Sequence, residues 1–232
     1  MNIGLQDIRK EFIKLDFDEE KHVYFVDNKP LKASVSKLIK QYYIPFNADE
    51  VAERKAKKTG LTKEDYLKEW KEINLEAINR GHRVHLFGEE YPYKKGRMTP
   101  FCLQEQAVIK FWDELPEHII LVGVEIRMYH KEKGYAGTAD ILLFDTMNQT
   151  YIIADYKTNK DLFKNFQGKT MINGFEHKLD MPFSHYEIQL SHYQILVEQV
   201  MGIKVSRRIV IHLEMDGNYK MYDCEDVRHL LN

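Results

Sequence analysis

The chain has 232 residues, of which 44% are hydrophobic and 30% charged, values that suit one globular domain with a substantial core. A formal net charge of −2 excludes a global basic field for a polyanion, so any nucleic-acid contact must come from local patches. The only cysteines, Cys102 and Cys224, lie far apart without metal-type spacing, which excludes a disulfide scaffold and points to a reducing compartment. The opening MNIGLQDIRKEF lacks the apolar run of a signal peptide and no stretch reaches transmembrane length, so a cytoplasmic location and no membrane partner are expected.

In chain order, His22–Val26 alternates as a strand, Asp27–Pro30 makes a turn, and Ser34 is an N-cap for a helix through Tyr42. A second helix is expected from Phe46 to Lys58, ending in a basic run, Arg54–Lys58, that serves as a solvated face or a phosphate contact. Thr62 and Asp65 open a long helix in which Tyr66, Trp70, Ile73, Ala77, Gly81 and Val84 form one apolar stripe. His85 falls at the stripe's edge near the expected helix end, and Gly81, poor in helix propensity, is expected to permit a close backbone approach. Tyr91–Arg97 follows, with Tyr93, Lys94, Lys95 and Arg97 interleaving an aromatic ring with three positive charges. That mixture suits a nucleic-acid backbone plus a stacked base, and an ordinary polar loop equally. Phe101–Leu115 reads as a helix stopped by Pro116.

Leu121–Asn159 reads as an antiparallel meander, with strands at Leu121–Tyr129, Tyr135–Phe144 and Tyr151–Lys157. Charged residues are rare inside such apolar strands without a partner, which singles out Asp140, Asp155 and Lys157. With the second turn centred between Met147 and Asn148, Asp140 falls opposite Asp155 on one sheet face, with Lys157 beside it and Tyr156 on the other face. With the first turn centred between Glu132 and Lys133, Glu125 also falls opposite Asp140, an alignment that a one-residue slip would break. Two carboxylates about 4 Å apart repel by roughly 4 kcal/mol at an effective dielectric near 20, which calls for a cation or a shared proton between them. Removing one of them is expected to relieve that repulsion. The competing reading is a partly exposed Asp155–Lys157 ion pair with Asp140 capping a turn.

After Lys157 the chain is irregular to Lys178 and lysine-rich, including Lys160, Lys164 and Lys169, the composition of a lid or binding loop. A helix from Ser184 or His185 to Met201 puts Gln189 and Tyr193 on one face. Strands Arg208–Leu213 and Tyr219–Tyr222 flank the Asp216–Gly217 turn, and Asp223–Leu231 reads as a closing helix.

Gly137-Thr-Ala-Asp140 followed by Asp155-Tyr-Lys157-Thr158 resembles the PD-(D/E)xK nuclease superfamily. Gln189-Leu-Ser-His-Tyr193 is similar to the Q-x-x-x-Y motif of its RecB-like branch, and Gly81-His-Arg-Val-His85 to that branch's G-x-x-x-H. The resemblance spans about residues 82–193. It implies a single α/β (α+β) domain over 1–232 with a restriction-endonuclease-like core, a central mixed sheet with an antiparallel meander flanked by helices. Residues 1–118 would form a mainly helical part and 119–232 the sheet. It implies a phage- or bacterial-type DNA nuclease of repair or recombination, lacking the four-cysteine iron–sulfur cluster of some relatives. The expected activity is exonucleolytic, acting on single-stranded or duplex ends, with a structure-specific endonuclease or a non-catalytic nucleic-acid-binding protein as alternatives. Asp140, Asp155, His85 and the Tyr156 carbonyl would hold Mg²⁺ or Mn²⁺, with Glu125 available to a second ion. Lys157 would stand at the nucleophile. Gln189 and Tyr193 would contact the scissile nucleotide or the Lys157 environment, or merely tie helix to sheet.

Overall fold

The computed structural model describes residues 10, 12–18, 21 and 23–231. It opens with a small antiparallel sheet of β1 (Leu15–Asp18), β2 (Val23–Val26) and β3 (Lys29–Pro30). His22 of the predicted strand lies outside the described residues. The predicted four-residue turn is shorter, because Asp27 and Asn28 both take left-handed φ, 49° and 62°, and Val26 pairs directly with Lys29. A two-residue loop of that geometry leaves Lys29 and Pro30 free to be strand. The first half of the chain is thus less purely helical than its sequence suggested.

Two residues of β4 (Ala33–Ser34) lead into α1 (Val35–Ile39), which Ser34 caps by accepting from the Lys37 N–H at 3.2 Å. A 3₁₀ turn, Lys40–Tyr42, ends that helix. The next helix, α2 (Ala48–Ala56), is shorter than predicted at both ends, with Asn47 as its N-cap and Lys57 as its C-cap. The long helix α3 (Lys63–Glu90) opens on a capping box in which Thr62 and Asp65 satisfy each other's backbone N–H groups. It runs five residues beyond His85, to where Pro92 removes a donor and a 3₁₀ turn takes over. Its predicted stripe is buried only in part: Tyr66 and Val84 are inside, but Ile73 is exposed, and α2 and the Phe46 ring pack on the first half. α4 (Leu103–Asp113) follows.

The main sheet is β5 (Ile119–His130), β6 (Tyr135–Asp145), β7 (Thr150–Lys157), β8 (Val205–Leu213) and β9 (Tyr219–Asp223), neighbours in that order, with β4 added beside β6. β7 and β8 are parallel, joined through an irregular segment and α5 (Pro182–Met201); the other long pairs are antiparallel. The architecture is therefore mixed α/β, a mixed sheet between helices. α5 starts earlier than predicted, with Pro182 in its first turn, where a missing N–H costs nothing. Gly202, at φ 62°, ends it. β8 starts at Val205, because Ser206 and Arg207, polar enough to read as loop, sit on its exposed margin. The predicted closing helix is absent. Cys224 continues the sheet by donating to the Arg208 carbonyl, and only the 3₁₀ turn Arg228–Leu230 forms, pinned by Asp226. No helix among the described residues is long and apolar enough to cross a membrane.

Strand alternation supplies a core to each face. Leu142, Phe144, Tyr151 and Ile153 pack with Val35 of α1 and with Ile188, Tyr193 and Leu196 of α5. Ile141, Leu143, Ile152, Ala154 and Tyr156 pack with Val84 and Phe87 of α3 and with Val108, Phe111 and Trp112 of α4. Gly88, rather than Gly81, is where α3 touches the sheet. A Cβ at Gly88 would lie 2.5 Å from the Tyr156 ring, whose hydroxyl is fixed by the Trp112 indole N–H at 2.7 Å. A Cβ at Gly81 would meet only the Thr158 hydroxyl, at 3.5 Å. Gly88→Ala is expected to destabilise, because overpacking costs about 1–3 kcal/mol and the gain in helix propensity of about 1 kcal/mol offsets only part of it. Gly81→Ala should stabilise by about 0.5–1 kcal/mol. Urea unfolding of both variants checks the pair, and shifts of the same sign would contradict this packing.

Candidate active site at a fork in the sheet

The site sits where β6 changes partner. On one side β6 is accompanied by β5 along almost its whole length. On the other, β4 pairs only with Tyr135 and Ala136, and β7 only from Ile141 onward. Gly137–Asp140 lie in the gap between. The hairpin register, running from Asp145↔Thr150 to Ile141↔Ala154, places Asp140 across from Asp155 one step further on. There the ladder gives way to a side chain: the Tyr156 N–H donates to Asp140 Oδ2 at 2.8 Å. The β5–β6 register, with Val124↔Ile141 and Ile126↔Ala139, likewise sets Glu125 opposite Asp140. Glu125 itself leaves the ladder at φ 50°, a strained conformation for a residue with a Cβ.

His85, on α3, places Nδ1 3.1 Å from Asp140 Oδ2. The Lys157 ammonium pairs with Asp155, donates to Gln189 Oε1 at 3.1 Å and stands 4.3 Å from the centre of the Tyr186 ring. The Gln189 amide then donates to the Tyr193 hydroxyl at 2.8 Å. Tyr193 is buried, against Gly137, where a Cβ would lie 2.6 Å from its ring. Gln189 and Tyr193 therefore orient Lys157 and tie α5 to the sheet. Tyr186, which underlies Lys157 and donates to Asn159 Oδ1 at 2.6 Å, has no place in the sequence motifs. Its position one turn before Gln189 was the available signal.

These groups perturb one another. Burial raises the Asp155 pKa, and Asp140 raises it further, to about 6 in spite of Lys157. Burial opposes the charged form of Asp140, but His85, Lys157 and the Tyr156 N–H outweigh it and hold its pKa below the usual value. For His85, burial acts downward and the two aspartates carry the balance upward. Lys157 is held above its ordinary value because the carboxylates outweigh its burial. Glu125 is pushed up to about 8, first by burial and then by Asp140 and Glu89.

The Glu125 shift carries a sign. A carboxyl whose folded pKa exceeds its unfolded value stabilises the fold while protonated; the contribution is complete below about 4.5 and lost as pH rises through about 8. Metal-free Glu125→Gln should therefore gain on wild type steadily across that window and hold its advantage above it. Thermal melts in chelator across the same window are the measurement, and a pH-independent difference would contradict it.

Among the described residues no three His, Cys, Asp or Glu side chains converge into a ready-made metal cluster. His85 touches Asp140, while Asp155 turns to Lys157. The donor types nonetheless suit a hard divalent cation: three carboxylates brought into register, two of them with raised pKa values, one imidazole and the Tyr156 carbonyl.

The two predicted basic segments are placed differently. Lys160, Lys164 and Lys169 are exposed on the segment that leaves β7 directly beyond Lys157. Tyr93–Arg97 is carried away from the site by the extra turn of α3. Lys95 bonds the Trp112 carbonyl and pairs with Asp113 at 2.9 Å, at the far end of α4, and Lys94 pairs with Glu90 at 2.8 Å. That end of α4 feeds β5 at Ile119, which pairs with Asp145 at the turn end of the hairpin, some 20 Å of strand from Lys157. Lys178 is also committed, to Glu187 and Glu225 at 2.8 and 2.7 Å. Neither protein-family models nor curated proteins match this sequence.

Proposed function

We propose that the protein is a divalent-metal-dependent deoxyribonuclease with a restriction-endonuclease-like core, cleaving phosphodiester bonds at DNA ends. The observation that carries this reading is the strand register at the sheet fork, which sets Glu125 and Asp155 on either side of Asp140 on neighbouring strands, with Lys157 paired to Asp155. Mutual repulsion of this kind is a cost that a merely structural site would not keep. Asp140, Asp155, His85 and the Tyr156 carbonyl would hold Mg²⁺ or Mn²⁺, and Glu125 would serve a second ion. Such an ion supplies Lewis-acid polarisation of the phosphate and lowers the pKa of a bound water.

The chain's own groups do the rest. The upward shift of Lys157 keeps its ammonium protonated at neutral pH, so it stabilises negative charge developing on the phosphate and does not take a proton. Gln189 fixes that ammonium from one side and the Tyr186 ring supports it from another. The Tyr156 N–H and His85 orient the Asp140 carboxylate.

The test is incubation of end-labelled linear DNA and circular DNA of the same sequence with Mg²⁺, Mn²⁺ or chelator. Linear DNA should be degraded only with metal, and circles should resist. Rapid cutting of circles would make the enzyme an endonuclease, and no cleavage of any substrate with either metal would overturn the reading.

A further inference from the structure

Three of the five large exposed aromatic side chains among the described residues, Phe101, Phe163 and Phe166, lie on segments bordering the mouth of the fork; the other two are Phe46 and Tyr93. Phe101 is 81% exposed and Phe166 63% exposed, at a position where neither buries its ring in the core. Each carries a cation: the Arg83 guanidinium is 4.8 Å from the Phe101 ring centre and the Lys164 ammonium 5.0 Å from that of Phe166.

Hydrogen bonds tie the first pair's segment to Thr158, the residue after Lys157, and the second pair's segment to the start of α5. On the α3–α4 side, Gln104 donates to the carbonyls of Thr158, at 3.3 Å, and Leu213, at 2.6 Å, which sets the start of α4 at the C-terminal ends of β7 and β8. Arg83 belongs to α3 two residues before His85, and Glu105 holds both Arg83 and the Phe101 N–H. On the α5 side, Asn165, next to Phe166, donates to the Asp180 carbonyl at 2.8 Å. The Asp180 carboxylate meets His185 at 2.8 Å, one residue from the Tyr186 ring beneath Lys157.

We infer that the fork receives a single strand of nucleic acid, with unpaired bases stacked on Phe101 and Phe166 on either side of the cut, and the phosphates met by Arg83, Lys160 and Lys164. An exposed aromatic ring with a neighbouring cation is suited to an unpaired base, whose π-face a duplex keeps hidden; such stacking is sequence-tolerant and contributes about 1–3 kcal/mol per base. Glu105 and Asp161 lower the net charge of the rim, so stacking and not the overall field must carry the preference. The inference rests on the nuclease reading only for the position of the cut.

The whole chain is titrated, in Ca²⁺, against fluorescent oligothymidine of about a dozen nucleotides and a blunt duplex of equal length. Phe101→Ala and Phe166→Ala should each weaken single-strand binding roughly 5- to 150-fold, and Phe166→Tyr should restore it. Duplex binding and thermal stability should not move, since both rings are exposed. Lys160→Ala with Lys164→Ala should flatten the salt dependence by about 1.4 logarithmic units per decade. Wild-type preference for duplex, or alanine variants that bind single strands as wild type does, overturns the inference even if metal-dependent cleavage is robust. Ring-dependent single-strand binding without cleavage of any DNA would sustain the inference and overturn the nuclease reading.

Discussion

Asp140→Asn and Asp155→Asn are each expected to slow metal-dependent DNA cleavage by about 10²–10³-fold or more while leaving DNA binding in Ca²⁺ intact. The amide has the shape of the carboxylate. Residue 140 retains an oxygen for the Tyr156 N–H, so the fork persists while its charge falls. Single-turnover rates under saturating enzyme measure the chemical step apart from binding. Wild-type rates in both variants would end the nuclease assignment, and a loss in only one would reassign the other to structure. His85→Ala acts through the same carboxylate and belongs in the same series, since its Nδ1 lies 3.1 Å from Asp140 Oδ2.

Lys157→Met should be among the most destabilising single changes, by about 3–5 kcal/mol. It leaves Asp155, with a side chain only 2% exposed, without its pairing cation and within the field of Asp140. At about 2–4 °C per kcal/mol for a chain of this size, the melting temperature should fall by roughly 6–20 °C. Asp155→Asn in the same chain should recover most of that loss, and the recovery is the decisive quantity. Failure of the double variant to recover would mean that Lys157 contributes packing along its stem and little charge compensation. The expectation that losing one of two facing carboxylates relieves repulsion is set against a second factor in the structure. Each aspartate has its own close partner here, the Lys157 ammonium for Asp155 and the His85 imidazole for Asp140, so cutting back one partner strands the other.

The placement of the carboxylates was legible because strand period and turn centre are local. Once Asp145–Thr150 and His130–Gly134 are recognised as turns, counting outward fixes Asp140 against Asp155 and Glu125 against Asp140. What depended on helix length was less so. His85 was recognisable, but α3 continues five residues further, and Lys95, in the segment that follows, bonds the Trp112 carbonyl near the far end of α4. The exposed Ile73 has the same origin, since a 3.6-residue period predicts a face and says nothing of whether a partner covers it. The Arg83–Phe101 pair was illegible in sequence, because its two residues come together only when α3 and the segment leading into α4 pack. The closing helix failed for a local reason, in that Asp226 spends its carboxylate on Arg228 and caps a single turn.

β5 is twelve residues long and forms one margin of the sheet, an arrangement that ordinarily invites a strand from another molecule. Its bulge between Leu121 and Gly123 and the left-handed Glu125 divide that margin, leaving Ile126–His130 as its longest regular run. The backbone conformation that aims a carboxylate into the fork is therefore also what keeps the strand from recruiting copies of itself. A β-branched residue at position 125 would favour the regular strand, and with it both an emptied site and an adhesive edge.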